Sequence, residues 1–322
     1  MRARDPLRWT LGRVERWIFR PGSARRLAAV RIGLFLVLAG RLSRPLYLEL
    51  AGQPRALFRP ISFMHLFSSM PSDRIVLPVQ VLAVAASLLA AAGVAIRLTM
   101  PAALLGALFL NGMWSSIGQP MHNETLLLLP IVPLLLSRCA DAWSVPARRS
   151  GQSALEPTEH YGWPVRTAMI VVAGGYFFTG VYKLAFSGMA WITNDNLRWV
   201  MYGISAENPH PIGPAIFLAS HPLLAHLAAA ATIVIEVGFP ICLWMPRAAW
   251  FFVPGAVLLH LGIGLTMHLD YSPWALAVVV LFVPWDVLAD RVRRWRAAWD
   301  SGAPASALSP SRPATYQIET KS

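Results

Sequence analysis

The chain has 322 residues, of which 56% are hydrophobic and only 14% are charged, and its formal net charge is +12. This composition is unlike that of a soluble domain, and several nearly uncharged runs of about 20 residues are typical of transmembrane helices. The positive charge does not indicate a nucleic-acid partner, because the arginines are spread along the flanks of the apolar runs, where anionic lipid attracts them. We therefore predict an all-α, polytopic integral membrane protein whose partner is membrane lipid.

The N-terminal segment, residues 1–23, is basic and amphipathic. This segment and the next three residues contain eight arginines, and they lack the apolar core of a signal peptide. Apolar residues recur in it at helical spacing, namely Leu7, Leu11, Val14 and Ile18. The pattern predicts a helix that lies on the membrane surface, and a flexible basic arm is the alternative.

Eight apolar runs predict about eight transmembrane helices in a domain at residues 24–290. Their approximate bounds are 24–44, 75–96, 99–118, 124–138, 165–187, 222–245, 248–268 and 272–289. The fourth run is short, and Pro130 and Pro133 within it should bend or break the helix. The two cysteines, Cys139 and Cys242, form no disulfide framework and are expected to be ordinary apolar residues.

The distribution of arginine predicts cytoplasmic N- and C-termini in the cell (cytoplasmic) membrane. This orientation places the N-terminal arginines and the run RVRRWR at 291–296 on the inner side. Residues 291–322 are then a basic juxtamembrane run and a disordered tail. The long loops at 45–74, in which ISFMHLF suggests a half-buried helix, and at 188–221 lie outside, so we expect the function to face outward.

Lys183 is the least expected polar residue of the chain, because it lies within an apolar run. The chain has 28 basic residues, and only Lys183 and Lys321 are lysines. A buried amine can become a base, whereas arginine stays charged. The alternative is that Lys183 snorkels to the headgroups at the outer end of its helix. Tyr176, Thr179, Gly180 and Ser187 share its helix face, and such small polar stripes face other helices or a cavity.

Glu236 and His260 are ionisable residues within the sixth and seventh predicted spans. Such residues mark functional sites by default. Their distances from the inner side agree within one helical turn, so we predict a hydrogen bond between them. The pair either tunes a histidine that lines a cavity or only locks two helices together. Lys183 is expected nearer the mouth of this cavity.

The motif MHNET at 121–125 opens the fourth span. Asn123 is either an N-cap beside solvated His122 and Glu124, or one of three substrate-binding residues. Other expected substrate-binding residues are Tyr176, Trp191, His268 and Tyr271. No pair of histidines or carboxylates has the close helical spacing of a metal site, so no metal is expected.

Four motifs in chain order resemble one family. They are RLAAVRIGLFL, TGVYKLAFSGMAW with Lys183, VIEVGFP with Glu236 and VLLHLGIGLTMHLDYSPW with His260. The chain is similar, over residues 25 to 290, to the horizontally transferred transmembrane (HTTM) domain, which is the membrane part of vitamin K-dependent γ-glutamyl carboxylases. In MHNET, Asn123 aligns with the family's histidine and His122 stands one residue early, so the role of His122 departs from the family.

The resemblance implies catalytic roles for Lys183, Glu236 and His260. It also implies a reduced quinone as cofactor, either vitamin K hydroquinone or menaquinol, with O2 and CO2 as reactants in a lyase-like γ-carboxylation. The outer segment that binds protein substrate in the carboxylases has no counterpart here, so carboxylation of a propeptide-tagged protein is not expected.

Three function classes follow from the sequence. The first is a membrane enzyme in which Lys183 is the general base at an outward-facing cavity, acting on a quinol or another lipophilic or peptide substrate. The second is a non-catalytic membrane accessory for peptide maturation, export or immunity. The third is a proton or small-solute transporter, which the absence of paired broken helices in two similar halves disfavours.

Overall fold

The structure is a computed structural model that describes residues 6–118, 121–150 and 155–300. Across these ranges the regular secondary structure is helical, with one isolated bridge between Gly22 and Thr158. The chain divides into two compact units between Val283 and Pro284. The predicted tail at 301–322 lies outside the described residues.

The α-helices of the first half precede residue 150. They are α1 (Pro6–Ile18), α2 (Ala24–Leu42), α3 (Leu46–Leu50), α4 (Asp73–Ala91), α5 (Ile96–Ser115), α6 (Thr125–Leu128), α7 (Val132–Leu135) and α8 (Val145–Arg149). The remaining helices of the first unit are α9 (Glu159–Ser187), α10 (Ala190–Thr193), α11 (Asn196–Glu207), α12 (Gly213–Ser220), α13 (Pro222–Gly238), α14 (Ile241–Trp244), α15 (Ala249–Met267) and α16 (Ser272–Phe282). The second unit contains α17 (Trp285–Asp300).

Among the described residues, four helical segments are long and apolar enough to cross a membrane. They are Asp73–Ala91, Ile96–Ser115, Glu159–Ser187 and Pro246–Met267. The number rises to six if two interrupted pairs each count as one span, namely Gly213–Ser220 with Pro222–Gly238 and Ser272–Phe282 with Trp285–Ala297. The helical membrane class is therefore confirmed at four to six candidate spans, whereas eight spans and the orientation of the termini stay predictions.

Helices occur in all eight predicted regions, but several have other bounds. The fourth region is an apolar helix of residues Thr125–Leu135, interrupted by a 3-10 turn at Leu129–Ile131 where Pro130 removes a backbone donor. The helix α9 begins at Glu159, six residues before the predicted start. The sixth region ends its long helix at Gly238.

The segment predicted as the outer loop 188–221 is largely helical. We call its helices α10, α11 and α12 the cap. A small apolar core of its own holds the cap together, built from Met201, Ile212, Ala215 and Ala219. Arg198 donates to the carbonyl of Ala219, which ties α11 to the end of α12. The other long segment contains a 3-10 helix at Ser62–Leu66 with Met64 buried, as ISFMHLF predicts.

The predicted amphipathic helix of the N-terminal segment is present as α1. Arg166 of α9 holds the end of this helix, because its guanidinium donates to the carbonyls of Ile18 and Pro21 at 3.0 and 3.1 Å. The same guanidinium lies 5.9 Å from the ring centroid of Trp17. These contacts therefore hold the end of the amphipathic helix α1 close to the start of α9.

The contacts of Arg31 account for the presence of an arginine in the middle of the apolar helix α2. The residue is fully buried, and its guanidinium donates to the carbonyls of Ala91 and Trp143 at 3.2 and 2.7 Å. A hydrogen-bonded arginine satisfies buried carbonyls at the ends of helices. Both cysteines are free and buried, as expected.

Candidate functional site

Lys183 and Glu236 form an ion pair between α9 and α13. The Lys183 ammonium donates to Glu236 Oε1, and the two side chains are 20% and 8% exposed. Gly180 permits this contact, because a Cβ there would lie 2.8 Å from the Glu236 Cβ. The second carboxylate oxygen, Oε2, is buried without a hydrogen-bond partner among the described residues.

The cap supplies a third residue to this pair. The Lys183 Nζ lies 5.6 Å from the ring centroid of Trp191, within the range of a cation–π contact. Trp191 belongs to α10, and its indole Nε1 is buried without a partner among the described residues. The structure therefore brings the predicted residues Lys183, Glu236 and Trp191 together.

The predicted hydrogen bond between Glu236 and His260 is wrong. Glu236 binds Lys183, and His260 Nε2 instead lies 2.6 Å from the Tyr176 hydroxyl. The expectation that Lys183 lies nearer the mouth of a cavity stays a prediction, and its side chain is the more exposed member of the pair. Counting residues from helix ends assumes straight helices that begin at one level, and α9 begins earlier than predicted.

Five rings form what we call the aromatic cluster: His122, Tyr176, His260, Tyr271 and Trp274. The Tyr271 hydroxyl lies 2.7 Å from His122 Nε2, and the second hydrogen-bonded pair is Tyr176 with His260. The Trp274 centroid lies 5.6 to 6.4 Å from the other four. Four predicted site residues thus meet around a tryptophan that the sequence analysis missed.

Charged residues hold the start of α6 against the turn before α16. We call Arg41, Glu124 and Asp270 the Arg41 cluster. Arg41 Nε donates to Glu124 Oε1 at 2.8 Å, and its guanidinium also donates to Asp270 Oδ2. Asn123 Nδ2 donates to the Asp270 carbonyl at 2.9 Å. Glu124 is only 2% exposed, so the expectation of a solvated Glu124 and an N-capping Asn123 is wrong.

Asp270 lies in the turn between two helices, and the pKa of its carboxyl group is lowered. Burial raises its pKa, but hydrogen bonds from Arg41 and Ser272 outweigh burial and lower the pKa to about 2. Burial raises the pKa of the neighbouring Tyr271. Asp270 is therefore a carboxylate and Tyr271 a neutral phenol at neutral pH.

An apolar groove of about 490 Å³ runs between α9 and α6. Its lining includes Leu126, Ile170, Gly174 and Phe178, with His122 and Trp274 of the aromatic cluster. Thr179 also lines it, and this residue is one helical turn before Lys183. The Lys183 side chain itself is not part of the lining.

His268 is the predicted substrate-binding residue that the structure leaves apart. It ends α15 in the left-handed region with φ of 53°, and its side chain is exposed. Sequence reasoning missed Arg41, Asp270 and Trp274. A signal existed for Arg41, which is an arginine within an apolar run and needs a buried partner. No group of three metal-ligating side chains occurs among the described residues.

Comparisons of the chain with family models, with curated proteins and with solved structures gave no match. The class that the fold and site define is a helical membrane protein with a buried lysine–glutamate pair beside an aromatic cluster.

Proposed function

We propose that this protein is a membrane-embedded enzyme in which Lys183 is the general base. The observation that carries the proposal is the contact of a half-buried amine with a buried carboxylate that keeps one oxygen unpartnered among the described residues. When the shared proton resides on Glu236, Lys183 has a free lone pair and the pair has no net charge in its apolar surroundings. A positioned base contributes about 10²–10⁴-fold to a proton-transfer step.

The roles of the residues follow from their contacts. Lys183 takes a proton from the substrate, Glu236 holds and then releases the proton that leaves the amine neutral, and Trp191 of the cap covers the amine. His260 is a further acid–base group, held by Tyr176. The finer parts of the proposal are eight spans, cytoplasmic termini, a site towards the outer face of the cell membrane, and a place in the HTTM family.

A reduced quinone is the cofactor that the family resemblance implies, and it would supply a species that becomes strongly basic on reaction with O2. The apolar groove suits a ring and an isoprenoid tail, with His122 and Trp274 beside the ring. The groove does not bring a ligand to Lys183, because its lining stops at Thr179. The residues therefore do not fit direct proton transfer from a quinol in this groove, and we derive no step through it.

The substitution Lys183→Arg tests the base role, because it keeps the charge and removes the titratable amine. Lys321→Arg is the matched control, since Lys321 is the only other lysine. Purified protein in nanodiscs is given menaquinol or vitamin K hydroquinone with O2, labelled bicarbonate and a glutamate-containing peptide. Quinone epoxide and carboxylated peptide are measured by mass spectrometry.

Because the groove does not reach Lys183, product from the wild type and from Lys321→Arg, with at least a hundredfold less from Lys183→Arg, would mean that the quinol reaches the amine by another route and would support the base role. No product from the wild type would oppose a quinol cofactor. Full activity in Lys183→Arg would refute the base role. Mass spectrometry of the lipids retained by the purified protein supplies a second measurement: an enriched quinone supports the cofactor and its absence from intact protein opposes it.

A non-catalytic accessory is the second candidate, and the cap favours it. Trp199 and Phe217 on the cap are 71% and 58% exposed, and exposed aromatic residues are frequent in docking surfaces. Under this alternative, Trp199→Ser and Phe217→Ser impair the cellular phenotype more than Lys183→Arg does. The reverse order supports the enzyme.

A further inference from the structure

We propose that the aromatic cluster carries protons between the Lys183–Glu236 pair and the exposed side chain of His122. The inference rests on the proposed function, because a base that takes a proton in each turnover must release it again. It gives Tyr271 a role in proton transfer and assigns the two tyrosine–histidine pairs one shared function.

The two pairs differ in exposure, which gives the path a direction. Tyr176 and His260 are 1% and 7% exposed, and they are linked by a hydrogen bond of 2.6 Å. Tyr271 is half-buried and His122 is exposed, with 2.7 Å between the hydroxyl and Nε2. The rings of His260 and Tyr271 are stacked with 6.0 Å between their centroids. One pair is therefore internal, the other reaches the surface, and they adjoin.

Two gaps interrupt this path, and an unpartnered buried atom belongs to each. The first gap separates Glu236 from Tyr176, which lies one helical turn before the Gly180 that packs against the Glu236 side chain, and Glu236 Oε2 has no partner among the described residues. The second separates His260 from Tyr271, and His260 Nδ1 is equally without a partner there. Buried polar atoms need hydrogen bonds, and an internal water commonly provides them. We place one bridging water in each gap.

The transfer balances with protons alone. Glu236 passes a proton through the first water to the Tyr176 oxygen while Tyr176 gives its own hydroxyl proton to His260 Nε2. His260 releases the Nδ1 proton through the second water to Tyr271, and Tyr271 gives its hydroxyl proton to His122 Nε2. His122 then releases a proton from Nδ1 to solvent. No bond other than O–H and N–H forms or breaks.

Packing and charged groups border this route. Phe239, directly after α13, stacks on Tyr176 with 4.6 Å between centroids, so an apolar ring covers one face of Tyr176. Among the described residues, the charged groups near the cluster include the Lys183–Glu236 pair at one end and the Arg41 cluster with Arg44 at the other. The bonds of the Arg41 cluster fix residues 122–124 beside the turn at 270–272, which positions His122 against Tyr271.

The chain provides a probe of the path that does not depend on turnover. It contains only two lysines, so protein labelled with ¹⁵N-lysine in nanodiscs gives one Nζ signal for Lys183 and one for Lys321. Nuclear magnetic resonance then measures the rate at which the Nζ protons of Lys183 exchange with solvent, with Lys321 as the internal reference.

The test variants are Tyr271→Phe and His122→Gln, and the control is Tyr161→Phe. The control variant also loses a hydrogen bond, because the Tyr161 hydroxyl donates to Asp141 Oδ2 at 2.9 Å. Tyr161 lies outside the aromatic cluster. We expect exchange at Lys183 to slow at least about tenfold in both test variants, a modest part of the 10²–10⁴-fold effect of positioned proton donors. The control should match the wild type.

A purely structural role predicts another result. In that case Tyr271→Phe lowers thermal stability and His122→Gln, at an exposed site, changes little, while exchange at Lys183 stays at the wild-type rate in both. That result would overturn the proposal even if Lys183 proves to be the base. Conversely, slowed exchange together with full activity of Lys183→Arg would keep the proton path and refute the proposed function.

Discussion

The ion pair of Lys183 and Glu236 predicts a strong energetic coupling between two helices. The perturbation is Lys183→Met, which keeps much of the side-chain volume and leaves the Glu236 carboxylate without its partner. Removing one member of a buried ion pair costs about 3–5 kcal/mol. Because the Lys183 side chain is 20% exposed, water screens part of this cost, so we expect about 3 kcal/mol.

The companion variants complete a double-mutant cycle. Glu236→Gln removes the buried charge and leaves Lys183, whose partial exposure limits the loss to about 1–2 kcal/mol. The double variant has no uncompensated charge, so its stability should be close to that of Glu236→Gln alone. The magnitude of the coupling energy between the two sites is then about 3 kcal/mol, well above the 0.3–0.5 kcal/mol scatter of independent sites.

Thermal unfolding with a thiol-reactive fluorophore measures this cycle directly. Cys139 and Cys242 are free and buried, so the dye reacts only as the protein unfolds. At about 2–4 °C for each kcal/mol, Lys183→Met should lower Tm by roughly 6–12 °C. Lys321→Met is the control without an expected change. If the two single losses simply add in the double variant, the ion pair does not stabilise the packing of α9 on α13, and the reasoning fails.

Three further predictions concern packing and charge. Gly180→Ala should cost about 1–3 kcal/mol by forcing α9 from α13, whereas Gly174→Ala on the same helix meets only its own Phe178 at 3.8 Å and should be neutral in a thermal assay. Arg41→Gln leaves Glu124 buried and unpaired, so Tm should fall by at least as much as for Lys183→Met, and adding Glu124→Gln should recover most of the loss. Since the pKa of Asp270 is lowered from 3.8 to about 2, its contribution to stability is complete above about pH 4 and is lost as pH falls towards 2. Asp270→Asn should abolish this pH dependence, and an unchanged profile would contradict the ion pair with Arg41.

Sequence patterns predicted the helical class, the amphipathic helix α1 and the broken fourth region for identifiable reasons. Long apolar runs leave few alternatives to helices in a membrane, and Pro130 lacks the backbone donor that a continuous helix needs at that point. The cap was missed because its helices are short. Polar residues and glycine interrupt the apolar pattern, and a segment of this composition resembles a loop. Tertiary packing around Met201 stabilises its helices.

The candidate site was predicted residue by residue better than contact by contact. Lys183, Glu236 and His260 stand out because each is an ionisable group in an apolar run. Their partners depend on crossing angles and on the levels of helices, which one sequence does not contain. Lys183 therefore pairs with Glu236, and Tyr176 pairs with His260. Asp270 was overlooked because it lies in a turn, where an acidic residue is common.

The length of α9 and its attachment to α1 connect the position of Lys183 with bilayer thickness. The 29 residues of α9 extend over roughly 43 Å at 1.5 Å per residue, whereas the hydrocarbon layer of a bilayer is about 30 Å thick. Arg166 holds the end of the amphipathic helix α1 near the start of α9, and Lys183 lies near the other end. A helix that is longer than the hydrocarbon layer tilts, kinks or thickens the bilayer around it. We therefore expect the lipid chain length to change the tilt of α9 and, with it, the contact between Lys183 and Glu236 on α13.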